Sequence, residues 1–149
     1  MVNFRINKIK KKQKDEYERK VEMSKIELKA LRAQMNPHFI FNSLNSIQHY
    51  IFNARSDEAI KYLSKFARLV RIILNNSNKS AVTVEEDIEA LKLYLELEQM
   101  RFEGKFDYEI VVDPSVDSDY DIMPPLLIQP YVENAILHGL NPKPAKGKL

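Results

Sequence analysis

The sequence predicts a mainly helical protein whose centre is a helical hairpin, and two such hairpins would make a four-helix dimer. Three observations carry this. Apolar residues recur at helical spacing from Phe41 to Phe52 and again from Ile60 to Leu74. Only the short polar turn Asn53-Ala54-Arg55-Ser56 separates the two runs, and helices joined so briefly pack antiparallel. Thr83-Val84-Glu85-Glu86 then reads as a capping box, T-x-x-E, which opens a further helix.

Taken in order, residues 1–14 carry Arg5, Lys8, Lys10, Lys11, Lys12 and Lys14 and no acid. The block reads as a solvated helix end in preference to an arm for lipid or nucleic acid. From about Lys14 to Met35 the chain reads as helix, with Tyr17, Val21, Leu28, Leu31 and Met35 at alternating four- and three-residue steps and a gap at Ser24. That is the seam of a two-stranded coiled coil. Pro37 follows as an interruption of this long amphipathic helix, at a cost of about 3 kcal/mol for an interior position. Kept in strict register, the seam would bury His38 on the stripe of Leu31, whereas a kink at Pro37 can rotate it off.

After Pro37, Phe41, Leu44, Ile47, Gln48 and Ile51 hold helical spacing. Ser56 reads as an N-cap, with Asp57 and Glu58 at the positive helix end. The next helix shows Ile60, Leu63, Phe66, Ala67, Val70, Ile73 and Leu74 on one face and stops at Asn75-Asn76-Ser77-Asn78. The helix opened by Thr83 reaches about Phe102, and Gly104 ends it. Residues 106–112 alternate as a strand, Asp113-Pro114 turns the chain, and a last helix spans about Leu126 to Leu137 with Gly139 as its stop. Residues 141–149 read as loop.

The 149 residues contain no cysteine, which excludes disulfides, thiolate metal sites and thiol catalysis. No apolar run approaches the roughly 20 residues a membrane helix needs, and the N-terminus lacks the apolar core of a signal peptide. No G-x-x-x-x-G-K-[ST] occurs, so this is not a P-loop enzyme. His38 and His49 share a helix face, but eleven residues set them ~16 Å apart, too far for one metal ion.

Two places concentrate chemistry. His38 has an imidazole suited to nucleophilic or proton-transfer work near neutral pH, and Asn42 lies one turn along the same face. Taken alone, His38 reads as a histidine satisfied in a helix core. Asn134 and His138 are also four apart on one face, and taken alone they read as helix surface.

Pro37-His38-Phe39-Ile40-Phe41-Asn42-Ser43-Leu44-Asn45 resembles the phosphoacceptor motif of the LytS/YehU-like sensor histidine kinases of bacterial two-component systems. The likeness continues through Tyr62-Leu63-Ser64-Lys65-Phe66, Tyr94-Leu95-Glu96-Leu97-Glu98 with Arg101-Phe102, and Gln129-Pro130-Tyr131-Val132-Glu133-Asn134-Ala135-Ile136-Leu137-His138-Gly139. It covers the chain from about Leu28 onward, in order. In the commonest histidine kinases an acid follows the histidine directly; here Phe39 does, in keeping with the LytS-like pattern and leaving no obvious general base.

The resemblance implies that His38 takes the γ-phosphoryl group of ATP, with Asn42 bonded to its ring, and passes it to an aspartate on a response-regulator receiver domain. Residues 133–139 resemble the N box of the gyrase/Hsp90/histidine-kinase ATP-binding fold. By that likeness Asn134 would hold Mg2+, His138 would approach the phosphates, and Glu133 would orient a water or the metal. The chain then divides into a basic linker helix (1–27), a dimerisation and phosphoacceptor hairpin (28–80), and a connecting helix with the first part of an α/β ATP-binding domain (81–149). The expected state is a homodimer at the cytoplasmic face of the membrane, attached through a part ahead of this chain and making no direct contact with nucleic acid. The regulator would dock below His38, where Leu69, Val70 and Ile73 are available unless the core claims them. The family's glycine-rich nucleotide boxes are expected beyond Leu149, so the chain by itself is expected neither to bind ATP well nor to phosphorylate itself. Two rival readings remain: a non-catalytic coiled-coil module, and a nucleic-acid binder using the cluster from Lys10 to Lys14.

Overall fold

A computed structural model describes residues 2–34, 36–76 and 78–149, with side chains at 6, 8–25, 36–76 and 78–149. Its mainly helical architecture is the one the sequence predicts. Helix α1 spans Val2–Gln34, α2 Pro37–Phe52, α3 Ser56–Asn76 and α4 Val84–Arg101. Helix α5 spans Gln129–Asn134 and continues as a π-helical turn over Ala135–Leu140. Four two-residue strands complete the fold: β1 (Val82–Thr83) pairs antiparallel with β3 (Ile122–Met123), and β2 (Phe106–Asp107) pairs parallel with β4 (Gly147–Lys148). None of the described helices is long and apolar enough to cross a membrane.

Helix α1 is longer than the expected start at Lys14, and of its seam Tyr17 and Val21 are exposed. The side chains of Leu28, Leu31 and Met35 lie outside the described residues. The Pro37 expectation is corrected. The proline interrupts no helix; it occupies the first turn of a new one, where its missing N–H has no partner to lose. Asn36 caps that helix, its carboxamide accepting the backbone N–H of His38 at 3.0 Å.

Helix α4 is the axis of the core. Ile88, Ala90, Leu91, Leu93, Tyr94, Leu95 and Leu97 are all buried, so it is covered on nearly every side. Its start is the expected capping box, with Thr83 Oγ1 accepting the Glu86 N–H and the Glu86 carboxylate accepting the Thr83 N–H. At its other end Gly104 sits at φ 74°, the conformation glycine favours. Helix α3 packs against α4 through Ala59, Tyr62, Leu69 and Ile73. Helix α2 adds Phe39, Ser43 and Tyr50. Buried hydroxyls tie the layers together: Tyr62 donates to Ser43 Oγ at 3.3 Å and Tyr50 donates to the Met100 carbonyl at 2.9 Å.

The inward stripes follow the periodicity only in part: Ile73 is buried and Ile47, Phe66 and Val70 pack against the core, but other residues of the expected faces point outward. Phe41, Leu44 and Ile51 on α2 are 66%, 51% and 62% exposed, and Ile60 and Leu63 on α3 are 64% and 51% exposed. Each helix therefore carries two apolar stripes, one folded against α4 and one facing outward. Leu69 and Ile73 belong to the buried set, with Val70 half-buried, so the core claims most of the expected docking residues. The cap of α3 also differs, since Arg55 rather than Ser56 supplies the carbonyl for the first helical bond.

The C-terminal part departs furthest from expectation. Leu126 is not helical: it stands at φ 57°, its N–H bonded to the Asp87 carboxylate at 2.6 Å. Gly139 does not stop the helix but lies inside the π turn, closed by Asn141 N–H to the Ile136 carbonyl at 2.8 Å. The segment 141–149 is not all loop, because Gly147–Lys148 forms β4. A Cβ at Gly147 would meet the end of the Leu140 side chain, which would have to shift.

Asp87 is 3% exposed. Burial pushes its carboxyl above the usual carboxylate range, and the Leu126 N–H offsets part of the rise. The folded chain thus holds the proton more tightly than the unfolded one. This contribution to stability is full in acid, below the ordinary carboxylate range, and is lost as pH rises through the raised value. Asp87→Asn keeps an acceptor and is expected to flatten that part of the stability curve. Asp87→Ala strands the Leu126 N–H and is expected to cost about 1–3 kcal/mol in urea unfolding at pH 7.

Candidate functional site

The site forms where the first turn of α2 meets the last turns of α4 and the flank of α5. Pro37 fixes the backbone at the helix start and Asn36 caps it, so the orientation of residue 38 is set locally. Phe39 is buried and packs on Tyr94, ring centroids 5.0 Å apart, and on Phe66 at 6.2 Å. Neighbouring positions on a helix point in different directions, so anchoring Phe39 inward turns His38 out to solvent. His38 is exposed, as the phosphoacceptor reading requires and the strict seam does not. Phe39 after the histidine is therefore the anchor of the site rather than a missing acid.

Asn42 reaches the ring as expected, its Nδ2 standing 3.1 Å from Nδ1 and 3.3 Å from Nε2 of His38. The amide Nδ2 can only donate, so the ring nitrogen that the tautomer leaves unprotonated accepts it. Ser46 Oγ donates to the Asn42 carbonyl at 2.9 Å.

Around His38 and Asn42 the fold brings Asn36, Tyr94, Glu98, Arg101, Glu133 and Leu137 into one cleft. Glu98 is 1% exposed, and Arg101 grips it with Nε donating to Oε1 at 2.9 Å and Nη2 donating to Oε2. The guanidinium carbon stands 3.9 Å from the centre of the Phe102 ring, so its plane is held on two sides. Burial, reinforced by the charges of Glu98 and Glu133, pushes the Tyr94 hydroxyl far above the usual tyrosine range. Tyr94 thus stays protonated at any physiological pH. Glu98→Ala leaves Arg101 in the cleft without its counter-ion. It is expected to cost about 3 kcal/mol in urea unfolding, the low end for breaking a buried pair, because part of the guanidinium still reaches water.

Of the three N-box residues, the structure brings only Glu133 to this cleft, where Gln129 Nε2 donates to it at 2.9 Å. Asn134 and His138 are exposed and do not line it. Among the described residues neither side chain has a hydrogen-bond partner, so a carboxamide oxygen and an imidazole are both open to an incoming ligand. These are fitting donors for magnesium and for phosphate oxygens respectively. Site residues outside the expected set are Tyr94, Glu98 and Arg101. Their spacing of four and then three places them on one face of α4, a signal present in the sequence but without a partner surface to read it against.

Comparison with known proteins matches residues 26–106, more than half of the chain, to the family model described as histidine kinase. The chain is similar to the sensor histidine kinase YpdA of Escherichia coli (strain K12), 36% identical over 124 residues, covering 83% of this chain and 21% of that protein. It is similar also to the sensor histidine kinase/phosphatase LytS of Staphylococcus aureus (strain Mu50), 38% identical over 114 residues, covering 76% of this chain and 19% of that protein. The chain thus spans about a fifth of the length of these relatives. No solved structure matches it.

Proposed function

Since the chain belongs to the histidine kinase family, among its LytS-like members, we propose that His38 is the residue that accepts the phosphoryl group. The observation that carries the reading is one of position. Within the segment that matches the family, the histidine after Pro37 stands exposed in the first turn of α2, with Asn42 on its ring. The lone pair of the unprotonated ring nitrogen attacks the γ-phosphorus of ATP. A nitrogen–phosphorus bond forms, the bond from phosphorus to the bridging oxygen breaks, ADP leaves with that electron pair, and the other ring nitrogen releases its proton to solvent. No base is needed before attack, which accounts for the lack of an acid beside His38. The phosphoryl group then passes to a carboxylate oxygen of a response-regulator aspartate as the nitrogen–phosphorus bond breaks. Phosphoryl transfer asks of a protein mainly positioning and charge stabilisation.

Asn134 would hold magnesium and His138 would contact phosphate oxygens, with Glu133 orienting water or the metal. Magnesium would supply the positive charge that offsets the phosphates. We place this work in residues 81–149 as the first part of an ATP-binding domain, at the cytoplasmic face where ATP is available. The outward stripes of α2 and α3 support a homodimer, since five large apolar residues at or above half exposure on adjacent helices suit a second hairpin.

The test is phosphate transfer from ATP labelled at the γ position onto the full-length protein. The reading predicts label that is lost in acid and kept in alkali, the behaviour of a phosphorylated imidazole. Label stable in acid would place the phosphate on a hydroxyl and overturn it.

A further inference from the structure

The motif Tyr94-x-x-x-Glu98-x-x-Arg101 has no role in the scheme above, yet it forms one wall of the His38 cleft. We propose that Arg101, held in place by Glu98, is the cation that receives the phosphoryl group carried by His38; this rests on His38 being the acceptor.

Two observations lead there. The first is charge. Two clefts meet at this place, and they share only Asn42 and Arg101. The small one, about 10 Å3, holds His38 with the carboxylates of Glu98 and Glu133. The open one, about 470 Å3, runs along α2 past Ser46 and His49 to Glu103. Imidazoles aside, Arg101 is the one cation among the described residues that lines either. Glu103 is paired with Arg55 at 3.7 Å, so a phosphoryl group on His38 adds nearly two negative charges beside Glu98 and Glu133, an arrangement that needs a facing cation.

The second is space. About 10 Å3 is the least a single water needs and too little for a phosphoryl group. Room lies on the other side, in the larger cleft, and the side chains leading from His38 into it are those of Asn42 and Arg101. Glu98 binds Arg101 through Nε and Nη2, and Phe102 covers one face of the guanidinium. Among the described residues Nη1 has no hydrogen-bond partner and is left for a ligand. A guanidinium gripped on one edge is pre-set to donate from the other, which a flexible lysine is not. Glu98 acts here as a positioning residue: it touches Arg101, not the phosphate.

The experiment bypasses ATP. Phosphoramidate is supplied to the full-length protein as a chemical donor; its phosphorus–nitrogen bond breaks, a bond to the imidazole nitrogen forms, and ammonia leaves with the ring proton. The phosphorus NMR signal is then titrated with pH. A cation facing the phosphoryl group favours its dianion and lowers the pH at which it titrates. In the double variant Glu98→Gln with Arg101→Gln, which leaves no buried charge unpaired, the midpoint is expected to rise by about half a pH unit or more, less than an isolated opposite charge would give because Glu98 offsets part of it in the wild type. In Glu98→Gln alone, Arg101 is freed of its carboxylate and the midpoint is expected to fall. A merely structural pair would leave the midpoint of the double variant where it is in the wild type, and that result overturns the proposal while leaving His38 as acceptor. Wild type that takes no phosphate, or takes as much in His38→Gln, overturns the His38 reading and this inference with it.

Discussion

Replacing His38 with glutamine is expected to abolish phosphate incorporation while leaving fold and assembly unchanged. The side chain is exposed, and the fold draws on its backbone rather than its ring: the Asn36 carboxamide bonds the residue 38 N–H, which glutamine retains. Neighbouring Phe39 carries the packing. Stability should therefore move by no more than about 0.5 kcal/mol, as for other surface changes. Activity has no such cushion, because an amide nitrogen offers no lone pair for attack. Removal of a covalent nucleophile is expected to lower turnover by a thousandfold or more, on the order seen for other such enzymes. Equal melting temperatures beside a blank label would be the signature.

Leu63→Glu is expected to split the proposed dimer. Leu63 lies on the outward stripe of α3, one turn from Ile60, and is half exposed. In a twofold interface each substitution counts twice. Burying one leucine contributes about 2 kcal/mol, so the paired loss is about 4 kcal/mol, or roughly a thousandfold in dissociation constant. The chain's own core is spared, since α3 faces α4 through Tyr62, Leu69 and Ile73 instead. Sedimentation equilibrium should show a monomer with undiminished helix content. A dimer of wild-type strength would move the interface elsewhere.

These two stripes also show where sequence reasoning stops. Helix positions came out well because local chemistry sets them: the Asn53–Ser56 turn, the Thr83–Glu86 box and the left-handed Gly104 each act within a few residues. Periodicity revealed that α2 and α3 are apolar, but a helix with two apolar stripes does not announce which one meets its own chain. The more conspicuous stripe proved to be the outer one, and the inner one was disguised by Tyr50, Tyr62 and Ser43, whose hydroxyls are bonded inside. At Pro37 the deciding signal is local: Asn36 before it is a cap residue, which places the proline in a first turn. The remaining departures depend on distant partners. Leu126 leaves its helix for Asp87, 39 residues away, and β4 exists only because β2 stands beside it. His38 and Asn42 were legible from their four-residue spacing, and Glu98 and Arg101 were visible on one face of α4. Their convergence was not, because it depends on how α2 and α4 pack.

The central claim, that phosphate resides on His38, is tested most directly by mapping the modified residue in the autophosphorylated full-length protein by mass spectrometry at alkaline pH. Within this sequence the histidines stand at 38, 49 and 138. The account predicts phosphate on the peptide carrying His38, with His49 and His138 unmodified. Phosphate on His49 or His138, with His38 bare, would contradict it.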